Sequence, residues 1–301
     1  MKNFLKKEEG NVIVLLAFGL AVMISMLGLV IDGGHLFVTK SHLQKAANAA
    51  ALSGAQEIPN DEAAVQEVIN RILVSHNETT SLVQSSIKNS SELHVVLEKN
   101  VPVFFSSLFG VENVPIKVEA KAALKPLGEA KGVVPLGIEE SVNLQYGQTY
   151  QLKVDSGDST SGNFGVLALE GPGAKLYREN LLYGFDQPLK VGDILNTQTG
   201  NIAGATREAV NYRANGCQQP PGEYDQRDCS RLMLVVVFKD ISTGTQRKSV
   251  KITGFAYFYL TDQMGSTDDS IKGIFIKRAG AGTAETAAPL DRGAYAIKLT
   301  E

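Results

Sequence analysis

The chain has no tryptophan and only two cysteines in 301 residues. A framework of several disulfides is therefore excluded, and at most one bridge can form. Concentrated charge of one sign is also missing. The formal net charge is −3 and no polybasic run occurs, so nothing in the composition points to nucleic acid as a partner. There are four histidines, His35, His42, His76 and His94, all in the N-terminal part. Gly-x-Ser-x-Gly and His-Glu-x-x-His do not occur, and neither cysteine has a usable histidine. These gaps remove the common nucleophile and zinc-protease patterns. No enzyme is expected, and no cofactor or metal is implied.

What the chain does have is a long uncharged run, Asn11 to Ile31. A helix rises about 1.5 Å per residue, so roughly 20 residues cross a hydrocarbon layer of about 30 Å. A secretory signal has a shorter apolar core, about 7–15 residues, followed by a small-residue cleavage site. Here the sequence continues Asp32-Gly33-Gly34-His35. An uncleaved anchor is therefore expected, with a cleaved signal or a buried core helix as alternatives. Lys2, Lys6 and Lys7 precede the run and Asp32 opens its exit flank; Lys40 and Lys45 weaken that asymmetry without reversing it. By the positive-inside rule the N-terminus is cytoplasmic and the bulk extracytoplasmic. Glu8-Glu9-Gly10 has the Gly of a prepilin processing site, but the Glu five positions beyond is replaced by Leu15. The match to a processing site is therefore only half-made.

Beyond the run lies LQKAANAAALSGAQ, Leu43 to Gln56, built largely from small residues. Alanine has the highest helix propensity, so a helix continuing out of the membrane is expected, with a bend possible at the Gly pair. Ala47-x-x-x-Ala51 and Ala50-x-x-x-Gly54 are spacings that admit close approach of another helix or sheet. Ala46, Ala47, Ala50, Ala51 and Gly54 are the expected helix-packing face; a plain stalk is the alternative.

Glu8 to Gln56 as a whole resembles the N-terminal segment of TadG-like proteins of the Flp (tight adherence, Tad) pilus-assembly machinery. The resemblance rests on Gly10 before the span, on Asp32 and Gly34 after it, and on the block Leu43, Gln44, Ala46, Asn48, Ala49, Ala50, Ala51, Leu52, Gly54 and Ala55. Asn48 stands where the family usually has Asp. The resemblance implies a single-pass protein that assembles, anchors or caps a Flp/Tad-type pilus or related secretion system. The implied partners are the lipid bilayer and other pilus-assembly or pseudopilin-like membrane proteins, docked on the alanine face. The second reading is a membrane-anchored adhesion module with no pilus role.

Past Asp61, the apolar residues Ala64, Val65, Val68, Ile69, Ile72 and Leu73 share one helical face, and Asn60 or Asp61 can cap it. Leu93–Leu97 and Val114–Leu124 alternate as strands. Between them Phe104, Phe105, Leu108 and Phe109 are expected as core anchors in a short helix or turn. This order is similar to the family's exported region and implies pilin-like architecture.

The stretch Lys125-Pro-Leu-Gly-Glu-Ala-Lys-Gly132 turns to Gly, Pro and charge and is expected to be a linker. Beyond it, strands are expected at 148–155, 163–169, 232–239, 249–260 and 271–276, with helices near 175–183 and 206–213. SGNFGVLALEG, VGDILNTQTGN, GFAYFYL and IKGIFI are similar to the C-terminal domain of many bacterial TadG-like proteins. The expected fold is α+β. It comprises a cytoplasmic tail (1–11), a transmembrane helix (12–31), a pilin-like region (32–125), a linker (126–135) and a β-rich domain with inserted helices (136–301).

Cys217 and Cys229 flank a hydrophilic segment. In an exported chain they are expected to pair, with free thiols as the alternative and zinc short of ligands. Asp155-Ser-Gly-Asp-Ser159 resembles the Asp-x-Ser-x-Ser site of von Willebrand A domains, with Gly157 in place of the middle Ser. A turn accounts for it better, because the alternating strand–helix order of that fold is missing.

Overall fold

The computed structural model describes residues 9–153, 164–198, 202–217, 228–242, 249–268, 270–284 and 289–300. Helix α1, Glu9–Ala55, has 47 residues and runs without a break through Gly33 and Gly34. At 1.5 Å per residue it is about 70 Å long. Its first half stands free: from Val12 to His35 every residue is exposed except Gly28 and Asp32. Its second half is buried, with Leu43, Ala46, Ala47, Ala50, Ala51 and Ala55 fully covered.

That burial is supplied within the chain. Helix α2, Glu62–Ser75, presents Val65, Ile69 and Leu73 to α1. Asp61 caps it, its Oδ1 accepting from the Ala64 N–H at 2.7 Å. Strands β1 (Leu82–Lys88), β2 (Glu92–Pro102) and β3 (Asn113–Pro126) form an antiparallel meander. Alternate residues Leu93, Val95 and Leu97 of β2 and Ile116, Val118, Ala120 and Ala122 of β3 share one core with the α1 alanines. Alanine meets alanine there, so the helix backbone lies close on the sheet.

The segment expected as a linker is core. Strands β4 (Glu129–Ala130) and β5 (Val133–Glu139) occupy it. Leu127, Ala130, Val133, Val134 and Leu136 are each no more than 2% exposed. Pro126, Gly128 and Gly132 lie at or beside strand ends, and Pro135 lies within β5.

The remaining strands are β6 (Thr149–Lys153), β7 (Phe164–Ala168), β8 (Leu189–Lys190), β9 (Ile194–Thr197), β10 (Leu232–Asp240), β11 (Ser249–Leu260), β12 (Ser270–Ile276), β13 (Arg278–Ala279) and β14 (Ala294–Thr300). The largest sheet runs β10-β5-β7-β9-β11-β12-β6, and β11 also pairs with β10. Five strands thus close on themselves, which removes the edges that would otherwise invite pairing with other chains. Along β10, Leu234, Val236 and Phe238 enter one core while Met233, Val235 and Val237 enter a second. A strand buried on both faces reads as a continuous apolar run, and β10 does.

Helices α3 (Ala174–Tyr183) and α4 (Ala203–Gly216) contribute Tyr177, Leu181, Ala209 and Val210 to that second core. The Arg213 side chain is 7% exposed and donates to the carbonyls of Leu181 (2.5 Å), Ser230 (3.0 Å) and Leu232 (3.1 Å). It ties α4 to α3 and to β10. Burial pulls its guanidinium down to about 10, still charged at neutral pH.

The last strand crosses the expected domain boundary. β14 pairs with β3 in the first sheet, giving the order β1-β2-β3-β14-β13. A strand therefore leaves the β-rich part near 294 and completes the sheet that holds the stalk helix. The division at 126–135 does not separate two independent units.

Candidate functional site at the foot of the stalk

The two covered positions in the free half of α1 lie one helical turn apart and meet the same partner. That partner is the tip of the β2–β3 hairpin. Its neck is closed by a 3.1 Å bond from the Val103 N–H to the Glu112 carbonyl. Its far end is a 3-10 turn over Ser106–Phe109, ended by Gly110 at φ 85°.

Asp32 is 3% exposed, and its carboxylate accepts a fan of hydrogen bonds. The donors are the N–H of Phe104 (2.8 Å), Phe105 (3.0 Å) and Ser106 (2.7 Å), and the Ser106 hydroxyl (2.8 Å). Three successive N–H groups at the start of a turn form a positive concavity, and the carboxylate neutralises it. Charge-assisted bonds of this kind are about twice as strong as neutral ones. One turn earlier, Gly28 lies against the Phe105 side chain. A Cβ at residue 28 would stand 2.6 Å from Phe105 Cβ, so only glycine admits the contact.

The expectation that Phe104, Phe105, Leu108 and Phe109 anchor a core is corrected here. Phe104, Leu108 and Phe109 are 64%, 79% and 72% exposed. Only Phe105 has a surface to lie on. The others sit on a short turn at the end of a hairpin, where one helix is too narrow to cover them.

Higher on the stalk, Glu78 is a buried carboxylate bonded to the Ser81 hydroxyl (2.6 Å) and Lys99 Nζ (2.7 Å), with His42 Nδ1 at 3.4 Å. Burial pushes its carboxyl up, but the Lys99 and Ser81 hydrogen bonds and the charges of Lys99 and His42 outweigh that. The net position is below the ordinary carboxylate range. His42 is thus engaged, while His35 stays exposed with its ring 6.0 Å from that of Phe104.

The alanine face is occupied. Ala46, Ala47, Ala50 and Ala51 are wholly buried in the chain's own core, and a Cβ on Gly54 would lie 2.7 Å from Leu93 Cδ2. No free surface remains there for the partner helix that the resemblance implied. Asn48 accepts from Gln44 Nε2 at 2.9 Å, and the same amide donates to the Glu119 carbonyl at 2.8 Å. An acceptor is what this position needs, and Asp would supply one equally.

Cys217 and Cys229 form a disulfide, with Cα atoms 5.1 Å apart. Both are 8% exposed and belong to the same core as Leu234, Val236 and Phe238 of β10. Asp155–Ser159 lies outside the described residues, as does Asp269. Asp268 accepts from the Gly265 N–H at 2.7 Å within a turn. Among the described residues no group of three His, Cys, Asp or Glu is placed to hold a metal.

Sequence reasoning singled out Asp32 as an exit flank and missed its role as a clamp. The signal was available in the pairing of an acidic residue at a span boundary with a distant uncharged aromatic hairpin. No curated protein and no solved structure matches the chain. Residues 10–57, which are α1 from its second residue and the two residues after it, match the sequence model of the Tad family, described as Flp pilus-assembly TadE/G-like.

Proposed function

We propose that this is a single-pass membrane protein with a structural role in a Flp/Tad-type pilus or related secretion apparatus. The observation that carries the reading is the division of α1. Residues 12–31 are apolar and exposed on all sides but one, while Leu43–Ala55 is packed into a folded domain. The Tad match covers both halves. The span fixes the chain in the bilayer, with its N-terminus cytoplasmic and its bulk extracytoplasmic. The helix carries the head rigidly on the far side.

Its work is mechanical, not catalytic. Because the alanines are used internally, partners dock on the remaining surface of the sheet or head. A long helix on a small sheet is also the form of a pilin. The test is deletion of the gene in its native cell. Loss of piliation, restored by the full chain but not by one lacking residues 12–31, supports the reading. Normal piliation without the gene refutes it and leaves adhesion as the better account.

A further inference from the structure

We infer that the β2–β3 hairpin tip is a second membrane contact, a foot that enters the outer interface of the bilayer beside the span. The inference rests on the anchoring role of residues 12–31 and adds a site to it. Three observations carry it.

The first is level. Gly28 belongs to the apolar run, three residues before its end at Ile31. At 1.5 Å per residue, the Phe105 contact lies about 4.5 Å inside the boundary that Ile31 marks. Interfacial segments bury their apolar face about 5–10 Å into the headgroup/acyl boundary, so the Phe105 contact lies close to that depth. The second is surface. Val101 to Val111 carries no charge, and Phe104, Leu108, Phe109 and Val111 are exposed together. Phe105, between them in sequence, rests on Gly28, whose helix neighbours Leu27, Leu29 and Ile31 are exposed apolar residues.

The third is backbone satisfaction. A loop enters an apolar layer only if its polar groups are already bonded. The N–H groups of Phe104, Phe105 and Ser106 go to Asp32. Those of Leu108, Gly110 and Val111 go to the carbonyls of Phe105, Ser107 and Ser106. The Ser107 hydroxyl donates to the Phe104 carbonyl at 2.5 Å. The occupant is lipid. A protein partner at this level would itself have to lie in the bilayer and displace lipid from the span.

The absence of native tryptophan makes the test direct. Leu108→Trp, Ile24→Trp and Val83→Trp are made singly in the full chain and reconstituted into phosphatidylcholine vesicles. Lipids brominated at a shallow or a deep acyl position serve as quenchers. Leu108→Trp emission shifts to the blue and is lost most with the shallow quencher. Ile24→Trp is lost most with the deep quencher, and Val83→Trp, on β1, with neither. Phe109→Trp repeats the measurement at a second exposed site, so that misfolding of one variant does not decide it. Unquenched emission at 108 and 109 with quenching at 24 overturns the foot and leaves the anchor standing. Unquenched emission at 24 overturns the anchor and the foot together.

Discussion

Gly28 on the stalk helix lies under the side chain of Phe105, and one turn later Asp32 receives the backbone of the same hairpin tip. A contact spanning more than seventy residues of sequence is thus made by one missing side chain and one carboxylate. Removing the carboxylate leaves three backbone N–H groups without their acceptor. Asp32→Ala is expected to loosen the hairpin tip locally. Hydrogen exchange in detergent micelles then shows faster exchange at 104–106, while α2 and the head are unchanged.

Gly28→Leu acts on the same contact from the other side. Its side chain drives Phe105 off the helix without touching the carboxylate. The expected outcome is the same faster exchange at 104–106, with the helix itself intact by circular dichroism. Gly19→Leu is the control, since nothing lies within 4 Å of a Cβ there.

Ala47, Ala50 and Ala51 are enclosed by the chain's own sheet and α2, so enlarging them overpacks a core. Each change to leucine is expected to destabilise the folded domain by about 1–3 kcal/mol, and Gly54→Ala by a similar amount. Thermal unfolding of the detergent-solubilised protein checks this. Loss of a binding partner with an unchanged melting temperature would contradict it.

Glu78 sets a pH dependence. Its folded-state carboxyl lies below the ordinary range, so its stabilising contribution is present above the unfolded value. That contribution disappears as pH falls through the lowered folded value. Stability therefore declines on acidification through the carboxylate range, and Glu78→Gln flattens that part of the profile. Melting temperatures between pH 7 and pH 3 for the two proteins provide the comparison.

The Cys217–Cys229 bridge joins residues 12 apart. Closing a loop of that length is worth about 3 kcal/mol in the chain-entropy account. The Cys217→Ser/Cys229→Ser double variant is expected to unfold at lower denaturant concentration, with the wild type brought to the same midpoint by reduction.

Local signals were legible in the sequence. The α2 face, the Asp61 cap, and strands β6, β7, β10, β11 and β12 all follow from spacing and side-chain type within a few residues. Two features were not. The return of β14 to β3 is a pairing of distant segments, and nothing in Ala294–Thr300 names its partner. The stretch before Val133 has the Gly, Pro and charge of a linker, yet its strands are held by neighbours from far along the chain. The hairpin tip failed differently. Its phenylalanines suit a protein core and a lipid interface equally, and only the position of Asp32 decides between them.

The central claim is that one crossing of the bilayer places everything after Ile31 outside the cytoplasm. Single cysteines at Asn60 and Asn3, introduced into a Cys217→Ser/Cys229→Ser chain, report this with a membrane-impermeant maleimide on intact cells. The account predicts labelling at 60 before lysis and at 3 only afterwards. Protection at 60 until lysis, or recovery of the full-length chain in the soluble fraction, would contradict it.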